Sequence, residues 1–88
     1  MGTKTVIKFY ASWCGPCKVY DKQWQKAKES TPEVKFLEVD IDKDTSGLAA
    51  QHKIQSVPTT IQLNNSDGSE VWRKTGIIKV DELKEMLK

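Results

Sequence analysis

The chain is short of what would make it a metal protein, a disulfide scaffold or a membrane protein. It has one histidine, His52, and two cysteines among 88 residues. A structural zinc site takes four ligands, typically from two cysteine pairs or a pair with two histidines; here there is no second C-x-x-C. Two cysteines are too few to staple a domain without a core. No stretch approaches the roughly 20 apolar residues of a membrane span. The first dozen residues carry Lys4 and Lys8 and no uninterrupted apolar run, so no targeting segment is visible. Met1-Gly2 opens as a myristoylation signal does, but Val6 stands where that motif takes Ser or Thr. No sign of charge prevails either: 14 basic and 12 acidic residues leave a net +2. That balance does not single out nucleic acid or an anionic membrane as partner. Repeats, low-complexity tracts and internal linkers are also lacking.

What is present is a globular composition, 38% hydrophobic and 30% charged. The length predicts one domain, residues 1–88, with a modest core. Both cysteines fall in one stretch, Trp13-Cys14-Gly15-Pro16-Cys17. Residues 4–10 before it are β-branched and aromatic, which predicts a buried strand. Residues 16–30 after it predict a helix, with Tyr20, Trp24 and Ala27 on one apolar stripe. Lys18, Lys22, Lys26 and Lys28 read as its solvated face. Ser30-Thr31-Pro32 ends it, because proline disfavours a helical residue before it.

The rest reads in the same way. Residues 34–40 predict a strand. Asp42 to Ser46 predicts a turn whose Asp or Ser side chain caps a short helix running to about Lys53, burying Leu48 and Ala49. His52 reads as a solvated residue of that helix. Thr59–Leu63 and Glu70–Thr75 predict two strands joined by a loop at 64–68, where Asp67-Gly68 suits positive φ. Residues 79–88 predict a closing helix with Val80, Leu83 and Leu87 inward. The order β-α-β-α-β-β-α makes an α/β fold. The first two strands are parallel through a right-handed crossover, and the last two antiparallel. This is a mixed four-stranded sheet flanked by three helices.

A C-x-x-C where a strand hands over to a helix reads as a redox pair. Thiol–disulfide exchange needs a thiolate, whereas a free cysteine is mostly protonated at neutral pH, its pKa being about 8.5. A helix N-terminus offers unpaired N–H donors and partial positive charge, which favour the anion. Cys14, just before the helix, is therefore the candidate nucleophile. Cys17, one turn in, is the candidate resolving thiol. Pro16 suits the first turn, where a missing N–H costs nothing, and Gly15 leaves the approach to Cys14 open. Trp13, by residue type alone, reads as core packing. Trp24 and Trp72 read as packing residues.

Phe9-Tyr10-Ala11-Ser12 followed by Trp-Cys-Gly-Pro-Cys-Lys resembles the active-site segment of thioredoxins, and the likeness extends from about Thr5 to the C-terminus. Val57-Pro58-Thr59 is similar to that family's cis-proline loop, and Gly76 to the glycine after its last strand. The resemblance implies a minimal thioredoxin fold, without the additional N-terminal strand and helix of larger members. It implies a protein-disulfide reductase that cycles between dithiol and a Cys14–Cys17 disulfide. Such an enzyme binds no cofactor and no metal, and receives electrons from NADPH through a flavoprotein thioredoxin reductase. It implies a cytoplasmic monomer acting on disulfide-containing proteins, with no nucleic-acid or membrane partner. Trp13, Gly15, Pro16, Val57, Pro58 and Gly76 would line the substrate groove, the Val57 backbone pairing with an extended substrate segment.

Two alternatives stand beside this. A glutathione-dependent, glutaredoxin-like reductase fits the size, but Gly-Pro replaces the usual Pro-Tyr between the cysteines and no Gly-Gly follows the fourth strand. A thioredoxin-fold module that only clamps a partner is the other.

The chain also departs from the thioredoxin pattern. Lys8 stands where the family has a buried Asp that helps move the resolving thiol's proton. Glu38 stands where a Lys is frequent on the second strand. One reading is a charge-exchanged pair that relays that proton and lowers the Cys17 pKa. The other is a Lys8 that reaches solvent and an unrelated Glu38. Lys22 replaces a helix-kinking Pro, which predicts a straighter helix.

Overall fold

A computed structural model describes residues 4–88; Met1-Gly2, and with it the question of an N-terminal signal, lies outside the described residues. The elements are β1 (Thr5–Tyr10), α1 (Gly15–Ser30), β2 (Lys35–Asp40), α2 (Leu48–Gln51), β3 (Thr59–Leu63), β4 (Glu70–Thr75) and α3 (Val80–Met86). The sheet order is β2-β1-β3-β4. β1 pairs β2 in parallel and β3 antiparallel, and β4 pairs β3 antiparallel. This is the mixed sheet with three helices that the sequence predicts.

β1 is central, and it has the sequence for it. A strand flanked on both sides and covered on both faces reads as a nearly continuous apolar run, and Val6, Ile7 and Phe9 are fully buried. Its side chains alternate between two cores. Val6 packs with Tyr20, Trp24, Ala27, Phe36, Ile78, Leu83 and Leu87 under α1 and α3. Ile7 and Phe9 pack with Ile61 on the other face, where Leu48, Ala49 and Ile54 cover them. Lys8 alternates onto the Val6 face, so its side chain rises toward α1. The α1 stripe is held by edge-on aromatic contacts: Trp24 meets Phe36 at 5.0 Å and Tyr20 at 6.0 Å between centroids. The Tyr20 hydroxyl is 2.7 Å from Thr60 Oγ1 on β3.

Two details differ from the sequence reading. α2 is a single turn, and Leu48 and Ala49 are half-buried. Gly47, at φ +77°, takes the N-cap position without a side-chain cap. The Asp side chain that the sequence reading expects as the cap is Asp44, whose carboxylate accepts the N–H groups of Ser46, Gly47 and Ala49. Lys53 has φ +54°, a left-handed residue that ends any continuation. His52 lies past the helix, and its side chain is 8% exposed rather than solvated, with Nδ1 3.0 Å from Glu70 Oε1. β4 supplies that carboxylate, which only the tertiary fold brings near.

Candidate active site

The cysteine pair is built by the start of α1. Cys14 is the N-cap residue in extended conformation, and its Sγ accepts the Cys17 backbone N–H at 3.1 Å. That contact uses one of the N–H donors every helix start leaves without a partner. Pro16 falls in the first turn, where no donor is lost. One turn of helix brings the two Cα atoms to 5.3 Å, and the sulfurs are joined as a disulfide. Both cysteines are nearly covered, at 5% and 4% exposure, packed with Ala11, Tyr10, Ile41 and Val57. A Cβ added at Gly15 would meet nothing within 4 Å, so space is open beside the pair.

The second wall comes from the segment before β3. The Val57-Pro58 bond is cis, and the Val57 carbonyl oxygen is 3.7 Å from Cys14 Sγ. The Pro58 carbonyl accepts the Gly76 N–H at 2.8 Å. Gly76 has φ +89°, a conformation that a side chain rarely adopts. Trp13 is 68% exposed, so it is no core residue. Its indole N–H donates to Asp42 at 2.7 Å. Nothing in the sequence singles out Asp42 as its partner, because β2 and the following turn fix that contact. The structure thus brings together Trp13, Cys14, Gly15, Pro16, Cys17, Val57, Pro58 and Gly76.

Lys8 and Glu38 stand behind the pair. A cleft of about 460 Å³ is lined by Lys8, Tyr10, Ala11, Ser12, Cys17, Lys18, Asp21 and Glu38. Lys8 is 2% exposed and does not reach solvent. Its ammonium lies 5.4 Å from the ring centres of both Tyr10 and Trp24, a placement that favours a cation. Lys8 pairs with Glu38 as the sequence reading has it, and more closely with a second carboxylate, Asp21, that the reading does not name. Lys8 Nζ donates to Asp21 Oδ1 at 2.7 Å, while Glu38 Oε1 is 3.8 Å away. Glu38 also faces Lys28 at 3.7 Å. The reason is reach. Lys8 and Glu38 are in register on adjacent strands, but a lysine stem extends off the sheet, and its head meets the helix layer. The signal for Asp21 was its spacing, four residues after Cys17 on the same helix face. The hydrogen bond from Lys8 holds the Asp21 carboxyl below its ordinary value.

Among the described residues no group of three or more His, Cys, Asp or Glu is placed to hold a metal, and no helix is long and apolar enough to cross a membrane. What the arrangement offers chemically is a sulfur at a helix start, a second sulfur able to close on it, and an exposed rim of backbone and tryptophan.

Comparison with known proteins agrees with this geometry. The family model described as Thioredoxin matches residues 2–88. The thioredoxin of Mycoplasmoides gallisepticum is 35% identical over 85 residues, covering 97% of this chain and 82% of that protein. A thioredoxin H-type of Fagopyrum esculentum is 39% identical over 82 residues, covering 93% and 67%. Among solved structures, Fasciola hepatica thioredoxin superposes with a TM-score of 0.85 at 32% identity, covering 98% of this chain and 79% of its own.

Proposed function

The chain belongs to the thioredoxin family and is a thiol–disulfide oxidoreductase, and from that premise we propose the roles of its residues, its electron source and its setting. Cys14 is the nucleophile. As a thiolate it attacks one sulfur of a substrate disulfide, forms a mixed disulfide and releases the other substrate sulfur as a thiol after protonation. Cys17, once deprotonated, attacks Cys14 Sγ. The Cys14–Cys17 bond forms, the mixed disulfide breaks, and the second substrate thiol leaves. The substrate gains two electrons and two protons, and the dithiol becomes a disulfide.

The observation that carries this assignment is the N-cap contact, with the Cys17 N–H 3.1 Å from Cys14 Sγ. A backbone donor aimed at one sulfur stabilises negative charge on it. Trp13, Gly15, Pro16, Val57, Pro58 and Gly76 form the rim on which an extended protein segment lies. Lys8 and Glu38, across the cleft, tune the resolving thiol. Electrons come from NADPH through a flavoprotein thioredoxin reductase, and no cofactor is bound to this chain. It works as a monomeric carrier in the cytoplasm, as one thioredoxin-like domain spanning 1–88.

The test is turnover of insulin disulfides. NADPH with thioredoxin reductase is expected to drive reduction, and NADPH with glutathione and its reductase is not. Turnover in the glutathione arm alone assigns a glutaredoxin-like role. Failure in both arms, with the fold intact, leaves a partner-binding module.

A further inference from the structure

The geometry points to Asp21, acting directly as an anion and jointly with the Lys8 ammonium it holds, as the carboxylate that sets the proton affinity of the resolving thiol Cys17. The inference rests on the role proposed for Cys17 and adds which carboxylate governs it.

The argument starts from what the resolving step needs. Cys17 must lose a proton to solvent before its electron pair can form the bond to Cys14 Sγ. At 4% exposure it sits where charge is poorly solvated, and nearby fixed charges then decide how readily it ionises. The cleft at its back carries four of them, Lys8, Lys18, Asp21 and Glu38, and these sum to zero. The balance is unequal in strength. Asp21 follows Cys17 by one helical turn, so the two side chains are neighbours, and an anion there opposes a Cys17 thiolate directly. Asp21 also holds the Lys8 ammonium at 2.7 Å, drawing this buried cation into an ion pair. Glu38 is 3.8 Å from that ammonium and is shared with Lys28.

The remaining groups facing this space do not upset the assignment. Tyr10 comes from β1, and Lys18 and Lys28 from α1. From β2, Asp40 is in register with Tyr10 and is occupied by the Asp42 N–H. β3 offers Thr60, in register with Lys8 and bonded to Tyr20. The Tyr20 hydroxyl is pushed up to about 12 by burial and stays neutral throughout. The loop before β3 contributes Val57, which does not ionise.

The two charges therefore act with opposite sign on Cys17. Removing Asp21's charge removes a repulsion and frees Lys8's attraction, so the thiolate forms at lower pH. Removing Lys8's charge leaves two carboxylates against Lys18 alone, so it forms at higher pH. Removing both restores neutrality. A residue that merely supports the fold has no such cancellation.

The experiment titrates Cys17 by its ¹³Cβ chemical shift in a Cys14→Ser background, which isolates one thiol from a coupled pair. It needs neither substrate nor reductase. Asp21→Asn is expected to lower the midpoint by about one pH unit and Lys8→Met to raise it by about one. The double variant Lys8→Met/Asp21→Asn is expected within about 0.3 of the parent, because the two changes offset. Glu38→Gln is expected to shift it by less than Asp21→Asn. A double variant that titrates with Lys8→Met alone overturns the inference. So does a Glu38→Gln shift as large as that of Asp21→Asn. Should Asp21→Asn fail to fold, Lys8→Met against the double variant still decides, since the double buries no unpaired charge. Loss of insulin reduction by the wild type would overturn the functional proposal instead, leaving this titration standing by itself.

Discussion

Tyr20→Phe probes a hydrogen bond that ties the cysteine-bearing helix to the strand after the Val57-Pro58 segment. The hydroxyl of Tyr20 lies 2.7 Å from Thr60 Oγ1, and both residues are fully buried. Tyr20 is three residues past Cys17 on α1, and Thr60 is two past Pro58. Deleting the phenolic oxygen leaves the Thr60 hydroxyl buried without that partner, which costs about 1–3 kcal/mol. Phenylalanine keeps the ring and its edge-on contact with Trp24, so the lost bond dominates. Taking about 1.5 kcal/mol, and about 4–8 °C per kcal/mol for a domain of this size, Tm should fall by roughly 6–12 °C. Thr60→Val should cost a similar amount, since it strands the Tyr20 hydroxyl. The double variant removes both polar groups at nearly constant volume and should recover about 1 kcal/mol or more relative to the sum of the single changes. Calorimetry or urea titration of the four proteins, all oxidised, measures this. Strictly additive single changes, each within about 0.5 kcal/mol of zero, would refute the claim that this bond anchors α1 to β3.

Three further outcomes are expected. Cys17→Ser should trap a mixed disulfide through Cys14 that mass spectrometry detects with a substrate protein, and Cys14→Ser should abolish reduction; brief alkylation that labels Cys17 before Cys14 would reverse the assignment. Asp21 has its folded pKa lowered, chiefly by the hydrogen bond from Lys8, so its stabilisation is complete above the unfolded value near 3.9 and is lost as pH falls through the folded one. The stability gap between wild type and Asp21→Asn should accordingly be constant above about pH 5 and narrow below about pH 4, and a gap that widens in acid would contradict this. Gly76→Ala should destabilise by about 1 kcal/mol or more in urea titration, because φ +89° suits glycine and not an L side chain; an unchanged urea midpoint would count against it.

The sequence alone determined the elements and their order, because periodicity and punctuation are local properties. β1 announces a central strand by its unbroken apolar run, and α1 announces its buried face by Tyr20, Trp24 and Ala27. Thr31 and Pro32 mark its end. The C-x-x-C was legible for the same reason: helix geometry alone brings residues three apart to one sulfur pair, whatever surrounds them. The alternation of β1 placed Lys8 on the opposite face from Ile7 and Phe9, and parallel pairing put Glu38 beside it in register. Tertiary structure decided what the long side chains and loops touch. Lys8 leaves the sheet and meets Asp21 on the helix above, a contact between layers that strand register does not contain. His52 is covered because β4 brings Glu70 to it, and Trp13 finds Asp42 because the turn after β2 passes beside it. α2 shrank to one turn where Gly47 and Lys53 took left-handed conformations. The dividing line is distance along the chain: backbone periodicity and capping act within one or two turns, whereas the partner of a buried charge is chosen by whichever element the fold packs over it.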